Sequence, residues 1–305
     1  MDPRMFLIDT DPGIDDAHAL AMAFSGLPPE QLIITTVAGN VGIDVVTENA
    51  RRLVGALAPG VAVHRGAAGP ILGASVEAPH IHGDDGMGGF AWPDAPLAPE
   101  AATGAVRAIL DAADRYGEQL TIVALGPLTN VALAIRIDPS LPERIGRVVS
   151  MGGTPAGWGN ASINAEFNVF ADPIAAEIVY STVPLTLITW DLTQQVRFSP
   201  AELDSFWAGD SDAAGILRGI HEHRKASDPA IARMPDFGRV DPLAMAIALD
   251  ETVLVDAVRH PVVVGYGGLG HGVTAVDWKD ERSLRPRLTI PTRIDRKRAI
   301  ELFTV

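Results

Sequence analysis

The stretch Met5-Phe6-Leu7-Ile8-Asp9-Thr10-Asp11-Pro12-Gly13-Ile14-Asp15-Asp16 changes character in the middle. Its first four residues are an uninterrupted apolar run, and its last eight hold four carboxylates around Pro12-Gly13. A short apolar run bounded by turn signals fits a strand buried on both faces, as in parallel sheets covered by helices. Pro-Gly supplies a turn, and Asp15 to Phe24 then repeats apolar residues at helical spacing. The unit reads strand, turn, helix, with the acids at the strand's carboxyl end.

The same alternation recurs downstream. Leu32 to Val37, Val61 to Val63, Leu120 to Ala124, Arg147 to Ser150 and Leu185 to Ile188 read as further buried strands. Val45 to Leu57, Thr103 to Tyr116, Thr129 to Ile137 and Pro173 to Tyr180 read as the helices between them. Strand–helix alternation predicts an α/β fold: a mainly parallel, Rossmann-like central sheet flanked by helices. Ligands of such sheets bind beyond the carboxyl ends of the strands. The last third differs, with two helical patterns after Ser199 interrupted near Asp210, another from Asp241 to Leu249, and a glycine-rich, strand-like stretch from Val262 to Trp278. No Pro/Ser-rich linker and no repeat divides the chain, so residues 1–305 are expected to form one domain.

Composition narrows the function. The chain is 47% hydrophobic and 20% charged, a balance that supports a large core. It carries 24 Lys and Arg against 38 Asp and Glu, for a net charge of −14. Tracking phosphates needs clustered cations, so nucleic acid and anionic membranes are not expected partners. The absence of cysteine removes disulfides, thiolate metal sites and cysteine nucleophiles. Met1-Asp2-Pro3-Arg4 followed by a short apolar run fits no signal peptide, and no run approaches the length of a membrane span. A cytoplasmic location is the expectation.

One aspartate at a helix start is commonly a cap. Four within eight residues need another reason. Two carboxylates about 5 Å apart repel by roughly 3 kcal/mol at an effective dielectric of about 20. A hard cation with oxygen ligands, Ca²⁺ or Mg²⁺, resolves that repulsion most simply; Asp9, at the strand end, reads as a hydrogen-bonded support. Ala38-Gly39-Asn40 after the second strand, and Asn160 with Asn164-Ala165-Glu166-Phe167-Asn168 after Met151-Gly152-Gly153, add amides and a carboxylate. Such groups suit a polyhydroxylated ligand. Val240-Asp241-Pro242 places one more carboxylate at a helix start.

Taken together, these residues resemble the nucleoside hydrolases, which cut the N-glycosidic bond of ribonucleosides. The resemblance runs along nearly the whole chain. It also takes in His82-Gly83 with Asp85-Gly86, Gly126-Pro127-Leu128-Thr129-Asn130, Asp172-Pro173, and Asp241-Pro242-Leu243-Ala244. It implies a Ca²⁺ bound by Asp11, Asp16, the Leu125 carbonyl and Asp241, with Asp11 taking the proton of the nucleophilic water on that ion. It implies that Asp15 and Asn40 bind the 2′-hydroxyl side of the ribose, that Asn160, Glu166 and Asn168 hold the 3′- and 5′-hydroxyls, and that Phe167 and His82 lie near the nucleobase. It also implies a homodimer or homotetramer.

One position departs. Where the inosine-uridine-preferring branch has a His before the last Asp to protonate the leaving base, this chain has Val240. Base preference is therefore open, and a non-catalytic or weakly catalytic ribose- or nucleoside-binding protein is the alternative. Asp9-Thr10-Asp11 also imitates the nucleophile motif of haloacid dehalogenase-type phosphohydrolases, but Lys225, Lys279 and Lys297 all follow the acidic Gly83-Asp84-Asp85, the wrong order for that mechanism. Gly265-Tyr266-Gly267-Gly268-Leu269-Gly270 matches a dinucleotide-binding spacing without a following helix, so a hairpin is expected. His221 and His223, two apart, would not share a helix face.

Overall fold

The computed structural model describes residues 4–227, 233, 237–280 and 284–305. Residues 1–3 of the opening segment lie outside them. Six parallel strands form the body of the sheet: β1 (Met5–Thr10), β2 (Leu32–Thr36), β3 (Val63–His64), β4 (Leu120–Ala124), β5 (Arg147–Met151) and β6 (Thr186–Ile188). Their order is β3-β2-β1-β4-β5-β6, followed by the strand Leu288–Ile294 and, at the edge, Leu254–His260. Leu288–Ile294 is parallel to β6 and antiparallel to Leu254–His260. The mainly parallel α/β sheet is as the sequence predicts, and those two closing strands are an addition to it.

β1 shows why the apolar run works. Successive side chains of a strand point to opposite faces. Phe6 and Ile8 enter one core, shared with the helix α1 (Ile14–Gly26), while Met5 and Leu7 enter the other. Helices Ala105–Tyr116, Thr129–Ile137 and Pro173–Tyr180 cover the second face. Helix Val240–Leu249 packs against α1 on the first. Arg147, the first residue of β5, donates to the Ala248 and Ile247 carbonyls at 3.0 and 2.9 Å, capping that helix's last turn.

The glycine-rich stretch is the predicted hairpin, Val262–Val264 against Thr274–Val276, so a strand follows the glycine motif directly. Among the described residues no helix is long and apolar enough to cross a membrane.

Candidate active site

β1 ends between β2 and β4, with Asp9 in register with Thr35 and Ala124. Asp9 accepts from Thr35 Oγ1 at 2.6 Å and from Asn130 Nδ2 at 2.8 Å, which makes it the support the sequence suggests. Burial nonetheless pushes its carboxyl up to about 6. Beyond it the chain turns, and Asp11 and Asp16 lie buried on either side of Asn40. The Asn40 N–H donates to Asp11 Oδ2 at 2.8 Å, and its Nδ2 donates to Asp16 Oδ2 at 3.0 Å. Thr10 Oγ1 donates to Asp16 Oδ1 at 2.6 Å. Two glycines wall in Asp11. A Cβ at Gly39 would fall 2.1 Å from Oδ2 and one at Gly126 2.5 Å from Oδ1, so neither position has room for a side chain.

Asp15, Asp16 and Asp241 each bring a carboxylate oxygen within 4.8 Å of the others. Asp241 is buried in the first turn of Val240–Leu249, which the packing of that helix on α1 sets over the cluster. Among the described residues the buried Asp15 Oδ1 has no hydrogen-bond partner. Burial raises the carboxyls of Asp11, Asp15, Asp16 and Asp241, and mutual repulsion raises three of them further: Asp11 by Asp16 and Asp15, Asp16 by Asp15, and Asp241 by all three others. Such a set, all oxygen and with an orphaned acceptor, fits a hard cation. Asp11 belongs to it by charge, at the edge of the tighter trio.

The predicted residues meet on one cavity at the carboxyl ends of the strands. Asp11, Asp15, Asn40, His82, Leu125, Asn160, Glu166, Phe167, Asn168 and Asp241 all line it; Asp16 lies behind Asn40. Glu166 is buried and caps the short helix Phe167–Ala171, accepting from Asn168 N at 2.9 Å and Val169 N at 3.2 Å, while Gly153 N donates to its Oε2 at 2.8 Å. Those bonds fix its carboxylate against burial, which raises its pKa. Asn168 Nδ2 donates to the Leu125 carbonyl at 2.6 Å. Asn160 accepts from Phe167 N at 2.8 Å. His82 ends a four-residue helix; its Nδ1 accepts the Ile14 N–H at 3.2 Å and lies 3.9 Å from Asp15 Oδ1.

The sequence from residue 6 to residue 301 matches the profile of the inosine-uridine preferring nucleoside hydrolase family. The chain belongs to that family. Among its relatives, the inosine-uridine preferring nucleoside hydrolase of Leishmania major is 37% identical over 302 residues, 96% of this chain and 94% of that one. A pyrimidine-specific ribonucleoside hydrolase of Salmonella schwarzengrund is 32% identical over 303 residues, 97% and 96% of the two chains. Among solved structures, a plant nucleoside hydrolase superposes with a TM-score of 0.89 at 27% identity, covering 99% of this chain and 98% of that one. A purine-preferring ribonucleoside hydrolase from Gardnerella vaginalis does so at 0.87 and 28%, covering 99% and 97%.

In this nucleoside hydrolase the sequence does not reveal the burial of three further groups, Arg239, His221 and His18. Arg239 immediately precedes Val240 and is 6% exposed. Its charge acts on Asp15, and burial lowers its own pKa to about 10. His221 is buried on its helix while His223 is exposed, so the two do point apart. Burial, with the charge of Arg239, depresses His221 to about 4; burial lowers His82 to about 4 as well. His18, on α1, meets the Phe303 carbonyl through Nε2 at 2.7 Å, and burial lowers it to about 3. None of the three shows a motif; only the fold reveals their burial.

His18 makes a testable contribution to stability. Unfolded, it takes a proton near its ordinary pKa of about 6.5; folded, it does so only near about 3. The native state therefore loses stability as pH falls below about 6.5, by about 2 kcal/mol at pH 5. Denaturant unfolding of wild type and His18→Gln should show their difference shrinking by about that amount from pH 7.5 to pH 5. A pH-independent difference would show that His18 is not held neutral.

Proposed function

We propose that the chain hydrolyses the N-glycosidic bond of ribonucleosides to ribose and free base, with Asp11 accepting the proton of the attacking water. One Ca²⁺ would be held by Asp11, Asp16, Asp241 and the Leu125 carbonyl. The observation that carries this reading is the buried carboxylate set facing amides across one cavity. A bound divalent cation supplies water of lowered pKa and offsets the repulsion among the carboxylates.

The chain's own residues supply the rest. Asp15 and Asn40 take the 2′-hydroxyl side of the ribose, and Asp241 faces the same side. Asn160, Glu166 and Asn168 take the 3′- and 5′-hydroxyls, with Glu166 a rigid acceptor because three backbone N–H groups fix it. These contacts orient the anomeric carbon toward Asp11. As the glycosidic bond breaks, the sugar acquires oxocarbenium character, which nearby carboxylates stabilise. Phe167 and His82 border the nucleobase.

Reducing-sugar release from a panel of purine and pyrimidine ribosides tests the reading. We expect release that a strong chelator abolishes and Ca²⁺ restores, with about one Ca²⁺ per chain by elemental analysis. Activity indifferent to chelation would overturn the ion's part. Tight nucleoside binding with no release would turn the site into a receptor.

A further inference from the structure

We propose that Arg239 receives the exocyclic oxygen of the departing base, in a second cavity opening off the sugar chamber, and so replaces a proton donor with a fixed positive charge. This rests on the nucleosidase reading. The two cavities share Asp15, Ile81, His82 and Val240, whereas Asn160 and Glu166 line the first alone. The second cavity thus adjoins the 2′ and anomeric side of the sugar, away from the 5′ end. Its wall bears Arg197, Arg224 and Arg239 in a chain whose net charge is −14. Among the described residues Asp15 is the one carboxylate on the same wall, so the lining is net cationic.

Arg239 is the member placed at the junction, one residue before Val240. Gly238, immediately before it, pairs with Arg197 in a small antiparallel sheet, and Val240 begins the helix that carries Asp241, so its backbone is anchored on both sides. Its guanidinium lies 5.2 Å from the centroid of the Trp207 ring, within cation–π range. Among the described residues its buried Nε has no hydrogen-bond partner. A buried unsatisfied donor on a cation is costly, and a site at which a ligand oxygen supplies the missing acceptor explains it.

The chemistry balances without a side-chain acid. Water adds its oxygen to the anomeric carbon and gives one proton to Asp11. The carbon–nitrogen bond breaks, and its electron pair leaves with the ring nitrogen. In an oxo-base that charge spreads to the exocyclic oxygen, where preoriented guanidinium N–H groups meet it. The base departs as an anion and takes its proton from solvent, and Asp11 returns its own. The sum is one water across the bond. Val240 presents an apolar wall at the junction, and His221, on the cavity wall, is kept neutral by burial and by the charge of Arg239. Bases bearing such an oxygen are the class this device serves.

The test compares inosine with purine riboside, which lacks only that oxygen, in wild type, Arg239→Met and Arg239→Lys. Ribose inhibition constants report whether the sugar chamber survives each change, and calorimetry reports nucleoside affinity apart from turnover. With ribose inhibition unchanged, Arg239→Met should lower kcat/KM for inosine by about 10²–10³-fold and for purine riboside by about tenfold or less, and Arg239→Lys should recover part of the loss. Equal losses on the two nucleosides, or none on either, overturn the assignment. Wild type that binds inosine more tightly than purine riboside yet releases no ribose would keep the arginine pocket and remove the nucleosidase reading. Wild type that neither binds nor cleaves either nucleoside would remove both.

Discussion

A 2′-deoxyribonucleoside is expected to be cleaved about 10⁴-fold or more slowly than the matching ribonucleoside, measured as kcat/KM. The expectation comes from what the missing hydroxyl would leave behind. Asp15 Oδ1 is already buried without a partner, and Asn40 and Asp241 sit beside it on the cavity wall. A site built to hydrogen-bond a hydroxyl rejects the analogue lacking it by about 10⁴–10⁵, because its polar groups stay desolvated and unpaired. Here two of the groups are carboxylates, and a desolvated carboxylate left without a partner is costlier than a neutral group. The 3′-deoxy analogue serves as the comparison. A 2′-deoxy substrate within tenfold of its ribo parent would place the ribose elsewhere in the cavity.

The second large effect is at Asp11. Asp11→Asn should lower kcat by about 10²–10⁴-fold, the usual contribution of a general base, while the ribose inhibition constant changes little. The substitution suits the site, since an amide oxygen can still accept the Asn40 N–H and a side chain of the same shape still fits between Gly39 and Gly126. The split between turnover and binding is what distinguishes a base from a sugar contact. A change confined to KM would make Asp11 a binding group only. A loss of both together with the metal would make it chiefly a ligand.

Much of this was readable from the sequence, for a physical reason. Strands covered on both faces are continuous apolar runs, and β1, β2, β4, β5 and β6 all announce themselves that way. Their neighbouring loops then hold the polar residues of the cavity, so position in sequence nearly gives position in space. The two closing strands do not announce themselves. Leu254–His260 is an edge strand, half-exposed and carrying Asp256, Arg259 and His260; Leu288–Ile294 is broken by Pro291 and Arg293, where the pairing register shifts. In the site, aspartates and amides are legible because few structural needs explain so many together. Arg239 is not, because an arginine after Phe237-Gly238 looks like any solvated loop cation until Trp207 and α1 close over it. The support of Asp9 by Asn130 is legible only in part, since 121 residues separate the two.

The bond between His18 and the Phe303 carbonyl joins residues 285 apart in the chain. At a ribosomal rate of roughly 5–20 residues per second, about 14–57 s pass between the synthesis of one partner and the other. Through that interval the buried histidine of the helix that follows the carboxylates lacks its carbonyl partner, although Phe206 and Trp207, which also pack on its ring, are made earlier, and Asp241 and the two closing strands arrive only late in it. The nascent chain therefore holds Asp15 and Asp16 long before Asp241 can join them. Gathering of the carboxylate set by Asp241 and cover of His18 by Arg296–Phe303 are therefore both late events in synthesis.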